Sequence, residues 1–593
     1  MRHVQPSDRP LFRNFGAESV TRPLPVAASV VQHFTRGTER PRGIVWFGAT
    51  SFWGHLRHLF TAAIATENID SRDWMTPDEP RALLARIADV LRGDSSATTL
   101  TEALDRDVYL DFVADTGDDV AVSRAVARLV FAPYELPNPD QPGGFLLAPR
   151  GDILLFGGDT AYPVATAKEL MNRVIAPWNQ VLRSLRDDGQ RRVLLGVPGN
   201  HDWYDGLDGF CRMFRRGGPR ATDGSRATRI SRITLEHHAE WAREFVRGGS
   251  VQKPKAVVLS GYTPVQNASY FALPLAPNLD LLAVDRQITA PDPRQSEFLG
   301  DYYQARPDAA TLAVLPDPVY HFGDPSRTGM QMVEHLHLDL TNRETFVLTG
   351  DIHHYERLER GKALHVIAGG GGAFLHPARI AAGGLKPTVA WPGVAQSRKL
   401  LREVPWKLAL GRSGFLPHFG LLALFALAWI LSNRVYAHTG LIVSVSILTT
   451  LFIGAVYAFI GGVTRRPSVL PIALVAALVT VLLPIGGSYV LDLVLERTGQ
   501  SMLASILGFT TIAIDVFVGA LVFGAYLALL TLLGYENMQA FTVLDHPGFK
   551  HFVRLRLRAD GQGIDGWCIG ATDPLGDEAQ PVLVDHFSWR PAK

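Results

Sequence analysis

The chain has 593 residues, more than one hydrophobic core usually organises, so about three or four structural units are expected and a single small binding module is excluded. Apolar residues make up 47% of it and charged residues 19%, which is too apolar for disorder and low in charge for a wholly soluble enzyme, so part of it is expected in a membrane. Lys plus Arg number 58 against 57 Asp plus Glu, a net charge of +1, and no basic excess points to nucleic acid as a partner.

The N-terminus carries no apolar run behind its charges, so no secretory signal is expected. Residues 1–105 form an extension punctuated by Pro, Arg and Trp, including Trp46-Phe47. Its aromatic, His-rich run 51–60 fits a helix on a bilayer surface and a helix packed on the next domain equally well. Residues 106–390 alternate helical stretches with short apolar strands at 108–114, 153–156, 193–197, 279–284, 311–315, 346–348 and 365–368. Such alternation, with Gly, Asp and His at the strand ends, predicts a layered α/β domain whose chemistry sits on its loops.

A linker at 391–414 leads to four apolar stretches, 415–433, 440–463, 469–491 and 511–534. Each is long enough to cross ~30 Å of hydrocarbon as a helix, so 415–534 reads as a four-helix transmembrane region. Lys399, Arg402, Lys407 and Arg412 precede it, Arg465 and Arg466 join its second and third stretches, and Lys550, Arg554, Arg556 and Arg558 follow it. The opposite loops offer mainly Arg434 and Arg497, so the positive-inside rule puts the large N-terminal region and both termini in the cytoplasm. Asp515 reads as an interfacial or pore-facing polar residue, and with so few interior acids the spans offer little for a transport path. In 535–593, alternation over 552–557 followed by Ala559-Asp560-Gly561-Gln562-Gly563 predicts a small cytoplasmic β-rich tail with a hairpin. The only cysteines, Cys211 and Cys568, stand far apart, which excludes a disulfide framework and a Cys-based metal site and fits a reducing compartment.

Four strand-end clusters carry the chemistry: Asp115-Thr116-Gly117-Asp118, Gly158-Asp159-Thr160-Ala161-Tyr162, Gly199-Asn200-His201-Asp202, and Gly350-Asp351-Ile352-His353-His354-Tyr355-Glu356-Arg357. Each sets a compact oxygen or nitrogen ligand directly after a strand, with Gly permitting a sharp turn. Convergent Asp, Asn and His are what a two-metal centre needs. In this order the set resembles the calcineurin-like metallophosphoesterase superfamily, and its Asp-Thr-Gly and Gly-Asp-x-x-Tyr forms resemble the purple acid phosphatase branch.

The resemblance covers about residues 107–380 and implies a calcineurin-like layered β-sandwich flanked by helices. It also implies two metal ions, divalent or mixed-valence, with Mn, Mg or Fe favoured over Zn. Asp115 and His353 would hold the first ion, Asp159 would bridge, and Asn200 would hold the second. Tyr162 falls where the purple branch has a phenolate ligand, and packing beside Pro163 explains it equally. His201 would protonate the leaving group, with Asp202 orienting it, while a hydroxide bridging the ions attacks phosphorus.

Two positions depart from the family pattern. Asp351 and Asp317 stand where second-ion histidines belong, and His321, four residues beyond Asp317, is a rival ligand. Carboxylates there would favour a hard ion over zinc, and loss of the second ion would leave a weakened enzyme or a binding protein. The run Gly369-Gly370-Gly371-Gly372 either offers N–H groups to a phosphate or packs closely, and His376, His354, Tyr355 and Arg357 are candidate pocket residues. The expected function is a membrane-anchored metal-dependent phosphoesterase acting on a phosphate ester, with a lipid phosphate at the bilayer surface as one substrate class. The alternative is a phosphate-binding receptor or scaffold.

Overall fold

The computed structural model describes residues 75–216, 257–287, 292–434, 439–464, 466–498, 501–576 and 579–591, with short pieces at 12–13, 22–23, Ile44 and Trp46. The 51–60 run, Phe47 and Arg465 lie outside the described residues. The strands that build the body are β1 (Val108–Val113), β2 (Ile153–Phe156), β3 (Arg192–Gly196), β4 (Tyr262–Pro264), β5 (Phe271–Ala276), β6 (Leu279–Ala283), β7 (Ala310–Leu315), β8 (Thr345–Thr349), β9 (Tyr355–Arg360), β10 (Ala363–Ala368), β11 (Val389–Trp391), β12 (Lys550–Leu557), β13 (Ile564–Ala571) and β14 (Val582–Trp589). The helices that matter below are α1 (Val120–Phe131), α2 (Leu416–Arg434), α3 (Thr439–Ile460), α4 (Val469–Thr498) and α5 (Ser501–Leu533).

Two large mixed sheets form an α/β body. The first runs β14-β13-β12-β1-β2-β3-β4, and the second β11-β9-β10-β8-β7-β6-β5. β1 through β4 are parallel, as are β6, β7, β8 and β10, and parallel strands covered on both faces read as continuous apolar runs. Alternate residues of both sheets, among them Leu110, Phe112, Leu155, Leu281, Leu312 and Phe346, share one buried cluster, so the sheets pack face to face. The intervening residues Val113, Leu154 and Phe156 pack with Val126 and Val130 of α1 and with Trp178 of the helix Ala176–Ser184.

The segment 535–593 corrects the expectation of a separate tail. β12 and β13 do form a hairpin, but β12 also pairs antiparallel with β1, from Val553 opposite Phe112 to Leu557 opposite Val108. Its three strands therefore complete the first sheet, and everything between β11 and β12 is an insertion in the α/β body. Arg554 and Asp111 are both fully buried on paired positions, with Nε 2.6 Å from Oδ1 and Nη2 2.9 Å from Oδ2. The remaining guanidinium donors reach the Val130 and Ala132 carbonyls at 2.8 and 2.9 Å, so the buried charge is fully satisfied. Lys550 and Arg556 are buried too, so three of the four residues in the basic cluster after the fourth apolar stretch belong to the protein interior and not to a membrane-flanking surface. That weakens its use as an orientation signal.

The linker is also more than a linker: it folds as helices Val394–Leu401 and Val404–Ala409. The second lies against α5, where a Cβ on Gly524 would meet Pro405 Cα at 2.6 Å. All four apolar stretches are helical, as α2 to α5. Among the described residues one segment, Thr510–Leu533 within α5, is long and apolar enough to cross a membrane, and the apolar described parts of α2, α3 and α4 are shorter. Large exposed apolar side chains concentrate there: apart from Phe145, Leu147, Val258 and Val394, those of the described residues all lie between Trp406 and Leu533.

Replacing Arg554 by Ala leaves the buried Asp111 carboxylate without its cationic partner, with the Gly151 N–H still donating to Oδ2 at 2.8 Å, and is expected to cost about 3–5 kcal/mol. The double change Asp111→Leu with Arg554→Met should recover much of that loss. Chemical denaturation of the purified proteins checks both; a single variant as stable as wild type would show that the strand pairing does not rely on this ion pair.

Candidate functional site

The four clusters converge at the strand ends shared by the two sheets. Asp115 follows β1, Asp159 follows β2 and Asp351 follows β8, and all three take left-handed backbone angles, with φ of 59°, 48° and 66°. Asp tolerates that region better than most residues, and the turn swings each carboxylate back over the sheet edge. The loops are laced together: Asp115 N–H donates to the Gly158 carbonyl, Thr116 N–H to the Asp159 carbonyl, and Asp351 N–H to Asp115 Oδ2 at 2.9 Å. The glycine run serves close packing. Gly371 N–H is committed to the Ala114 carbonyl, and a Cβ on Gly369 would collide with Asp115.

Tyr162 Oη is the centre of a first group of polar side chains. It lies 2.9 Å from Asp115 Oδ1, 3.3 Å from Asp159 Oδ2 and 3.1 Å from His353 Nε2, and His353 Nε2 is 3.6 Å from Asp115 Oδ1. His353 Nδ1 faces the Phe374 carbonyl at 2.8 Å, so it carries the proton and Nε2 turns its lone pair inward. His376 is buried behind it, stacked at 4.1 Å and accepting from His353 N–H through Nδ1. Burial and nearby Lys550 hold His353 well below the usual imidazole range, which keeps it neutral.

At the second group Asn200 and Asp317 face each other across Arg286, a residue that the sequence reading passed over. Arg286 Nη1 donates to Asp317 Oδ1 at 2.9 Å and lies 3.3 Å from Asn200 Oδ1. Asn200 Nδ2 donates to Tyr204 Oη at 2.9 Å. It is Asp317 that shares a partner with Asn200; His321, the rival, packs beside Phe322 with ring centroids 5.4 Å apart. The signal for Arg286 was present, since it stands two residues beyond the end of an apolar strand, as the other site residues do. A search for metal ligands does not stop at a guanidinium.

His201 is half-buried, its Nδ1 2.7 Å from the Pro163 carbonyl and its ring 4.4 Å from that of Tyr162. The carbonyl fixes the proton on Nδ1. This corrects the role expected for Asp202, which is buried and accepts from Gly199 N–H at 2.9 Å and from the Thr160 hydroxyl. Asp202 shapes the loop, and Pro163 orients the imidazole. Tyr355 and Arg357 are likewise structural, both donating to Asp585 Oδ2 at 2.7 Å, and His354 pairs with Glu356 at 3.1 Å. Trp46, from the N-terminal extension, adds a wall, with its ring 6.0 Å from Tyr162 and 5.2 Å from Phe374.

The carboxylates crowd one another. Burial, then Asp159 and Asp351, holds Asp115 well above the carboxylate range; burial, then Asp317, does the same to Asp351; burial pushes Asp159 to about 6. Such a cluster stores a demand for cations. Among the described residues, no three His, Cys, Asp or Glu side chains are gathered as a ready metal centre.

No family model matches this chain, and no curated protein does. Of 19 solved chains that match, one described as "GAP50 the anchor in the inner membrane complex of Plasmodium" has 10% sequence identity and a TM-score of 0.27, over 48% of this chain and 77% of that one. A likeness of that size carries no argument about fold or activity.

Asp285, next to Arg286, supplies a pH test. Burial pushes it to about 7, against the stabilising pull of Ser269 and Trp203. The folded form thus binds a proton between about pH 4 and 7 that the unfolded form releases, and stability from this group falls as pH rises through that window, by at most ~1.4 kcal/mol per pH unit. Asp285→Asn should flatten the fall in Tm over that range; an unchanged slope would assign it to other groups.

Proposed function

We propose that this protein is a membrane-embedded, metal-dependent phosphoesterase of the calcineurin-like kind. The observation that carries the reading is the first ligand group, where Tyr162 Oη lies 2.9–3.3 Å from Asp115, Asp159 and His353. Neighbouring ligands of an octahedral ion are ~3 Å apart when each is ~2.1 Å from it. The donor set fits: two crowded carboxylates, a phenol and a neutral imidazole whose Nδ1 is tied to a carbonyl, as metal-binding histidines usually are. When bound, the ion would supply Lewis-acid charge to a phosphoryl group. His201, whose Nδ1 meets the Pro163 carbonyl, would exchange a proton with the leaving oxygen. Asp202 and Thr160 keep the Gly199-Asn200-His201 turn in shape.

The substrate class follows from where the site lies. Arg466, in the α3–α4 connection, pairs with Asp324 at 3.2 Å and donates to the Gly534 carbonyl at the end of α5. Asp324 belongs to the hairpin that carries Phe322, and Phe322 packs on His354 and His376 behind His353. On the other flank, Leu375 N–H donates to the His546 carbonyl just beyond α5. The strand-end loops of the site thus face the helical insertion, which supports a phosphate ester presented at a bilayer surface, a lipid phosphate.

The same contacts support the topology. β1 lies before the insertion and β12 after it, and they are hydrogen-bonded neighbours, so the chain crosses any membrane an even number of times. With the α3–α4 connection also touching the body, α2 to α5 read as two hairpins, four crossings, with the body on one side. The exposed Lys399, Arg402 and Arg412 on that side favour the cytoplasm. Reporters inserted at 461–464 and at the C-terminus should report the cytoplasmic side, and reporters at 435–438 and 499–500 the opposite one. A split between the first pair would defeat the two-hairpin arrangement.

A hydrolysis screen of phosphate mono- and diesters, lipid phosphates included, across a divalent metal series tests the activity. Asp159→Asn should lower metal-dependent turnover by about 100-fold or more, while the exposed, remote Asp94→Ala leaves it unchanged. Equal turnover in wild type and Asp159→Asn would remove Asp159 from the site. A second reading, a phosphate-ligand receptor without turnover, draws on the lack of three gathered His, Cys, Asp or Glu side chains among the described residues. Phosphate binding with no hydrolysis of any ester in the screen would favour it.

A further inference from the structure

The resemblance implies two ions, and the residues do not fit the second one as they fit the first. Asn200, Asp159, Asp317 and Asp351 are the residues expected around it, and Arg286 is set among them. Its Nη1 contacts Asn200 Oδ1 and Asp317 Oδ1, and its charge is felt by Asp351 and Asp159 as well. A guanidinium stays protonated under all ordinary conditions, so a divalent ion at the same point would meet a fixed positive charge.

The position of Arg286 is built and not incidental. On one side, buried Asp285 accepts from Trp203 Nε1 at 2.7 Å and from Ser269 Oγ at 2.5 Å. Asp285 N–H donates to Gln295 Oε1 at 2.7 Å, and Gln295 Nε2 returns a bond to the Asp285 carbonyl at 2.8 Å. On the other side, Gln287 N–H donates to Asp285 Oδ1 at 2.8 Å while Gln287 takes a left-handed φ of 57°. Trp203 belongs to the same short helix as Asn200 and His201, so the turn that carries the site residues also anchors the strand end that carries Arg286. The side chain of Arg286 is 16% exposed, and a planar fork of donors suits a phosphate.

We propose that Arg286 replaces the second metal ion, so that the site holds one ion, at Asp115, Asp159, Tyr162 and His353, and clasps the substrate phosphate between that ion and the guanidinium. The proposal rests on the metal-dependent reading above and refines it. It also accounts for both departures from the family pattern with one cause. Neutral imidazoles at 317 and 351 would ligate a metal but leave a guanidinium unpaired, whereas carboxylates at those positions neutralise it.

The test is metal content of the full-length protein in detergent after equilibration with Mn2+ at fixed pH, together with calorimetric titration of inorganic phosphate. Wild type is expected to hold one ion per chain. Arg286→Met, which keeps the bulk and removes the charge, is expected to hold two and to bind phosphate about tenfold or more weakly in the absence of the added ion. Arg286→Lys should stay at one. Two ions per chain in wild type overturn the proposal, and so does one ion in both wild type and Arg286→Met. The wild-type count needs no substitution, so it decides the matter even if a variant fails to fold. No ion in wild type would instead sink the metal-dependent reading, and Arg286 would then keep its role only if Arg286→Met loses phosphate binding.

Discussion

The pairing of β1 with β12 is the constraint on which the rest of the structure depends. It joins residues more than four hundred positions apart and places a fully buried Arg554 against a fully buried Asp111. A buried ion pair is a poor source of net stability but a strong source of specificity, because any other register would leave one or both charges unpaired. Here it holds the return of the chain in one register against the strand that delivers Asp115. The helical insertion is therefore closed at its base by the same sheet that builds the site.

The site is organised by charge that the α/β body cannot neutralise with its own strands. Asp115, Asp159 and Asp351 are turned inward by left-handed residues at the strand ends, and Asp317 joins them after β7. Burial first, and then crowding, raises the affinity of Asp115, Asp159 and Asp351 for protons, which is the same physical demand that a cation would meet. Two different answers are visible. Around Tyr162 the donors are spaced like neighbours in a coordination shell, with a histidine held in the ligating tautomer. Around Asn200 and Asp317 the space is taken by Arg286, locked from both sides by Asp285 and Gln287.

The helices α2 to α5 meet the body beside the candidate site. Arg466 bridges Asp324 and the end of α5, and the segment after α5 packs on the loop that backs His353. Apolar side chains left exposed between Trp406 and Leu533 have no protein to cover them among the described residues, and a hydrocarbon surrounding is the environment in which such exposure costs nothing. A membrane-facing site is the proposed consequence.

Much of the plan is local and therefore readable in the chain alone. Apolar runs ending in Asp, Gly-Asn-His or Gly mark strands that finish in turns, and β1, β2, β3, β6, β7, β8 and β10 lie close to where those runs fall. Uninterrupted apolar stretches likewise mark α2 to α5, although α4 and α5 extend to 30 and 33 residues and past the predicted ends. What tertiary structure alone decided are the pairings that have no local signal. Alternation over 552–557 says strand, but not that Val553 lies opposite Phe112; Lys550 and Arg554 look like membrane-flanking charges until the sheet buries them. Arg286 looks like any residue after a strand until Asn200 and Asp317 arrive on either side of it. Periodicity and turn chemistry are set by neighbours in sequence, whereas a charge is given its meaning by the partner that folding brings to it.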